Sequence, residues 1–124
     1  MRTPEPLNQD DKVRIVAASG GLQIFPATLR RGFSRLESLG LEVEVDETVE
    51  KDTDWLNSNA KKKAEALMDA FEDRSVGGVI AATGGDEQIR LLRHLNPRRM
   101  ERNPTRFYGI SDNTCLTTYL WNLG

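Results

Sequence analysis

Apolar positions along this chain switch between two patterns, short β-like runs and longer stretches at helical spacing, with glycine-containing breaks between several of them. Val13-Arg14-Ile15-Val16-Ala17-Ala18 is short, rich in β-branched residues and closed by Ser19-Gly20-Gly21, which reads as a buried strand followed by a loop. Pro26 then opens a stretch in which Leu29, Phe33, Leu36 and Leu39 recur at helical spacing, and Gly40 stands where a C-terminal cap belongs. Leu41-Glu42-Val43-Glu44-Val45 alternates strictly, as a half-exposed strand near a sheet edge does. Asp52 to Leu56 reads as loop. Ser58 or Asn59 is then available to cap a helix whose apolar stripe is Ala60, Ala64, Leu67, Met68 and Phe71. Val76 to Ala82 is continuously apolar, the signature of a parallel strand covered on both faces, and it breaks at Thr83-Gly84-Gly85. A helix carrying Ile89, Leu92 and Leu95 follows and stops before Pro97. Arg106 to Ile110 supplies the last strand, and Leu116, Tyr119, Leu120 and Leu123 mark the last helix.

Strand and helix in regular alternation, joined by short connections, imply parallel pairing through right-handed crossovers. The fold class is therefore α/β: a flavodoxin-like, doubly wound, mostly parallel sheet with helices on both faces, formed by residues 1–124 as a single domain. Ligands of such sheets sit beyond the carboxyl ends of the strands. That directs attention to the loops Ser19 to Gly21, Thr83 to Gly85 and Ser111 to Asn113.

Composition narrows the function classes. A chain of 124 residues with 38% hydrophobic and 29% charged residues is one ordinary globular domain. A net charge of −2 argues against nucleic acid as partner, and Lys61-Lys62-Lys63 with Arg98, Arg99, Arg102 and Arg106 read as solvated helix or loop surface. Cys115 is the single cysteine, so neither an internal disulfide nor a multi-cysteine metal site is available. No apolar run approaches a membrane span, and the polar start Met1-Arg2-Thr3-Pro4-Glu5-Pro6 lacks a signal-peptide core. The expected location is the cytoplasm.

The most specific chemical signal is Gly109-Ile110-Ser111-Asp112, a serine between a strand and a helix. Such a nucleophile elbow lifts the hydroxyl above the sheet, where the free N–H groups and dipole of the next helix also point. The usual second glycine two residues after the serine is Asn113 here. The alternative is that Ser111 or Asp112 simply caps the last helix of a non-catalytic binding or regulatory domain. The two readings differ in geometry: an elbow is strained at Ser111, a cap is not. Gly84 and Gly85, followed by Asp86, open toward a helix N-terminus and suit oxyanion donation if their strand lies beside that of Ser111. Ser19-Gly20-Gly21 lacks the spacing of a dinucleotide fingerprint and the lysine of a P-loop, and reads as a loop lining the cleft. A serine nucleophile needs a base, and the single histidine is His94. On a helix leaving Gly85 it would stand roughly 13 Å from the strand's carboxyl edge, pointed away from Ser111.

Together these motifs resemble the N-terminal domain of the LD-carboxypeptidase family, which includes microcin C immunity proteins. The resemblance runs from about Lys12 to Gly124. It rests on the first strand ending at Ser19, on Arg31-Gly32 and Leu36 to Gly40, on Asp69-Ala70-Phe71-Glu72-Asp73, on Gly84-Gly85 and on Asn103-Pro104. Its most specific block is Phe107-Tyr108-Gly109-Ile110-Ser111-Asp112-Asn113-Thr114. Asp86 and the ending Trp121-Asn122-Leu123-Gly124 look closer to the immunity-protein branch. The resemblance implies that Ser111 is the nucleophile and that backbone N–H groups of Asp112 and of the Gly84-Gly85 turn form the oxyanion hole. Ser19 and Asp86 would serve substrate binding. It further implies a glutamate and a histidine from a C-terminal domain outside this chain, so that the 124 residues look like the first part of a two-domain enzyme. The implied substrates are a murein L,D-tetrapeptide or a peptidyl-nucleotide, with no metal or organic cofactor, and the family's enzymes are commonly dimers. Two positions depart from the family pattern: Ala18 stands where proline is frequent, and Ile110 where tyrosine is.

Overall fold

The computed structural model describes residues 3–124. Four strands, β1 (Lys12–Val16), β2 (Glu42–Val45), β3 (Val76–Ala81) and β4 (Arg106–Tyr108), form one sheet in the order β2-β1-β3-β4. Every pairing is parallel, with Ile15 opposite both Val45 and Ile80, and Ile80 opposite Tyr108. The chain winds outward from β1 to β2, crosses back to β3, and continues to β4. The winding direction reverses between β1 and β3, and there the loops after the two strands part into a crevice.

Side chains of adjacent strand residues point to opposite faces, so each strand feeds two cores. Val16, Ala18 and Val79 face one layer, with Ala64, Leu67, Met68, Ala70 and Phe71 of α3 (Ala60–Glu72) and Leu116 of α5 (Thr114–Leu123). Ile15, Ala17 and Ile80 face the other, with Leu22, Val49 and Leu56 and the half-buried Leu29, Phe33 and Leu36 of α1 (Pro26–Ser38). The two layers are unequal. Six residues of α3 are buried and none of α1 is, and Leu39, expected on the α1 stripe, lies 57% exposed beyond its end. Gly40 does end that helix as expected, at φ +89°, a conformation that L side chains rarely adopt.

The structure corrects the sequence reading of several of these elements. Asp52 to Leu56 is not loop: α2 spans Thr53–Ser58, and the Asp52 carboxylate accepts from the Trp55 N–H at 2.7 Å as its N-cap. Asn59 precedes α3 but does not cap it, its amide donating backward to the Trp55 carbonyl at 2.8 Å. The helix expected around Ile89, Leu92 and Leu95 is a 3-10 segment, Gln88–His94, and it buries Leu91 while leaving Ile89 61% exposed. Pro97 does not simply end it but starts a further helix, α4 (Pro97–Arg102), capped by Asn96. No helix among the described residues is long and apolar enough to cross a membrane.

Candidate active site

β3 and β4 pair along Gly78 to Ile80, so the two glycine-containing turns that follow them meet at the carboxyl edge of the sheet. After β4 the backbone reverses through Ser111 at φ +60°, one of two non-glycine residues with positive φ among those described. A left-handed residue costs about 1–2 kcal/mol, and only surrounding structure that over-determines the turn holds it there. A 3-10 turn, Ser111–Asn113, then leads into α5. Neither Ser111 nor Asp112 caps that helix. The backbone at Ser111 is strained and makes no cap bond.

Gly84 faces this turn. A Cβ added there would lie 3.1 Å from both Cβ and Oγ of Ser111 and 3.7 Å from the Asp112 nitrogen. The Ser111 hydroxyl therefore sits against the Gly84-Gly85 turn, with the Asp112 N–H beside it. Gly85 points the other way, and a Cβ on it would come within 2.7 Å of the Ser19 hydroxyl oxygen. Gly20 closes the crevice from the β1 side: it bridges to Thr83, and a side chain on it would run into the Gly84 carbonyl. An open cleft of about 700 Å³ results, lined among others by Gly84, Gly85, Asp86, Ser111, Ile24 and Tyr108.

Behind the cleft lies a polar clamp that sequence reasoning missed. Gln88 is fully buried; its side-chain N–H groups donate to the Asn113 side-chain carbonyl at 2.6 Å and to the Ala18 carbonyl at 3.3 Å. Its Oε1 accepts from the Leu116 N–H at 2.9 Å. Asn113, also buried, donates to the Thr83 and Ile110 carbonyls, each at 3.1 Å. These two amides tie the turn after β3 to the turn after β4. The side chain at the place of the usual second elbow glycine is thus a structural tie. The Asp112 carboxylate accepts from the Ser19 hydroxyl and, at 3.0 Å, from the Gln88 backbone N–H. Ser19 is buried and does not line the cleft, so it reaches the site through Asp112, whereas Asp86 lines the cleft directly. His94 lies elsewhere, in a separate concavity with Lys61, Lys62, Arg90 and Arg93, where its Nε2 accepts from Arg93 at 3.3 Å. Lys63, expected on the surface with Lys61 and Lys62, is buried at 2% exposure.

A strained serine turn at the carboxyl edge of an open, doubly wound parallel sheet, beside the crevice where the winding reverses, defines the class as a doubly wound α/β domain. Residues 13–124 match the family model described as LD-carboxypeptidase N-terminal domain. The chain belongs to the LD-carboxypeptidase family. It is 33% identical over 112 residues to a carboxypeptidase-named protein of Treponema pallidum, a stretch that covers 89% of this chain and 33% of that relative. An MccF-like protein from Bacillus anthracis superposes with a TM-score of 0.89 at 28% identity, over 97% of this chain and 37% of its own. An MccF-like protein from Streptococcus pneumoniae, solved in complex with AMP, gives 0.81 at 28% identity, over 94% and 36%. The chain spans about a third of the length of these relatives.

Proposed function

We propose that this chain is the nucleophile-bearing domain of a serine carboxypeptidase that hydrolyses an amide bond near a free carboxylate. The observation that carries the reading is Ser111 itself, held left-handed at the open end of the sheet with its hydroxyl against Gly84. Ser111 Oγ attacks the scissile carbonyl and gives up its proton to a histidine, oriented by a glutamate, both supplied by a C-terminal domain. The developing oxyanion is received by the Asp112 N–H and an N–H of the Gly84-Gly85 turn, aided by the positive end of α5. Collapse of the tetrahedral intermediate releases the amine and leaves an acyl-Ser111, which water then hydrolyses. Asp86 contacts substrate from the cleft wall, and Ser19 contributes by holding Asp112. The second domain closes the cleft over the exposed Ile110, 81% accessible here.

The immunity-type branch of the family fits best, with a peptidyl-nucleotide substrate. Support comes from the AMP bound by the Streptococcus pneumoniae protein and from Asp86 after the paired glycines. The murein-type alternative substrate is an L,D-tetrapeptide. In either case the base is expected from the C-terminal domain, since His94, the single histidine, lies outside the cleft. The test assays purified residues 1–124 and the full-length enzyme on both substrates, each beside its Ser111→Ala variant. The expected result is turnover by the full-length enzyme only, abolished by Ser111→Ala. Ser111-dependent turnover by residues 1–124 would place a base within this chain and overturn the division of the site.

A further inference from the structure

α3 carries a lysine on its apolar side. Lys63 is four residues before Leu67 and three after Ala60, so the helical period places it on the buried stripe. It is 2% exposed, and among the described residues no protein group accepts a hydrogen bond from its Nζ. A buried ammonium without a bonded partner costs several kcal/mol, so its presence calls for a role. Its neighbour Ala64 packs in one buried cluster with Ala18 and Leu116, on the segments of Ser19 and Asp112, and the carboxylates whose charge reaches Lys63 are those of Asp112 and Glu87, on the two turns that build the site.

We propose that Lys63 is a positioning residue of the active site. On the serine-hydrolase reading above, its buried positive charge attracts the Asp112 carboxylate, which the Ser19 hydroxyl and the Gln88 N–H also hold, and so steadies the N–H of Asp112 beside Ser111. The surrounding charges leave that role to Lys63. Arg90 is taken by Glu87 at 2.5 Å, and Arg99 of α4 by Glu65, Asp69 and Glu72 on the outer side of α3. Arg102 reaches the same Glu72 at 3.8 Å. Lys12 and Arg14 of β1 pair with Glu44 and Asp73, β3 carries no titratable residue, and Asp54 of α2 is exposed. His94 is bonded to Arg93. Burial pushes the Lys63 ammonium below the ordinary lysine range, against the attraction of Asp112 and Glu87. The charge is thus lost, as pH rises, earlier than on an exposed lysine.

The experiment uses the full-length enzyme on the substrate it turns over, with Lys63→Met, Lys63→Arg and Ser111→Ala in parallel. Lys63→Met removes an unpartnered buried charge, so its thermal midpoint should stay level or rise. Its kcat should nevertheless fall by about 10- to 100-fold with KM little changed, because a small misplacement of a catalytic group costs on that scale. Lys63→Arg, which stays charged across the range, should recover most of kcat and shift the alkaline limb of kcat/KM to higher pH. Wild-type kcat and pH profile in Lys63→Met would overturn the assignment. So would loss of folding in Lys63→Met, which marks a purely structural residue, or a Lys63→Arg variant no better than Lys63→Met. Turnover surviving in Ser111→Ala would instead refute the serine-hydrolase reading on which the proposal rests.

Discussion

Polar side chains are used in opposite ways on the two sides of β3. Where the strand begins, the groups are charged and half-exposed. Arg14 reaches Asp73 at 2.5 Å and Glu44 at 3.2 Å, and Asp73 is held further by Ser75. Where the strand ends, Gln88 and Asn113 are neutral, buried and bonded at every amide, and they surround a strained backbone turn. Exposed ion pairs gain little, since water competes for both partners. A buried amide network gains little more while intact, but its loss strands several partners without water. The difference teaches that this domain spends its buried polarity, Lys63 included, on the geometry of one turn and keeps its ion pairs near the surface.

The comparison is broken most directly at Gln88. Gln88→Leu keeps the volume but leaves the Asn113 side-chain carbonyl, the Ala18 carbonyl and the Leu116 N–H without their partner. We expect a loss of about 3 kcal/mol in urea unfolding of residues 1–124. A loss under about 1 kcal/mol would place the clamp on a par with the surface pairs. Gly84→Ala sharpens the functional side. Its added methyl would stand 3.1 Å from the Ser111 hydroxyl oxygen while its φ lies outside the glycine-only region. In the full-length enzyme kcat should fall about 10²-fold, with the thermal midpoint nearly unmoved. A matching fall in stability would show Gly84 to be a packing residue instead.

The smallest effect belongs to the other side of β3. Bonds from the Ser75 hydroxyl and backbone N–H, and then from Arg14, bring the Asp73 carboxyl from 3.8 down to about 2. A carboxyl depressed in the folded state contributes stability above its unfolded value, and that contribution is lost as pH falls toward its folded one. Asp73→Asn should therefore cost about 1 kcal/mol at pH 7, after allowance for solvent screening at this partly exposed site, and flatten the stability loss between pH 4 and 2. Unfolding measured at pH 2, 4 and 7 checks both the size and the sign.

The sheet and its elbow were legible because they are written in local pattern. The β-branched run before Ser19, the apolar run before Thr83 and the serine between Gly109 and the last helix each announce their own conformation. What escaped was written across the fold. Gln88 and Asn113 find each other only when β3 and β4 pair, and neither carries a sign of that partner in its own neighbourhood. Asp52 and Pro97 stand where short helices start, but six residues hold too little periodicity to separate α2 from loop or α4 from the segment before it. Lys63 was within reach. Its place on the stripe with Leu67 outweighs its membership of a lysine triplet, because facing follows the helical period and not the run of like residues.

The central claim, that Ser111 is the acylated residue, is tested most directly by rapid acid quench of the full-length enzyme during turnover, followed by mass spectrometry of its peptides. The predicted result is a mass increase equal to the substrate's acyl group on the peptide containing Ser111, absent from Ser111→Ala. An adduct on any other residue, or full turnover in Ser111→Ala, would contradict the account.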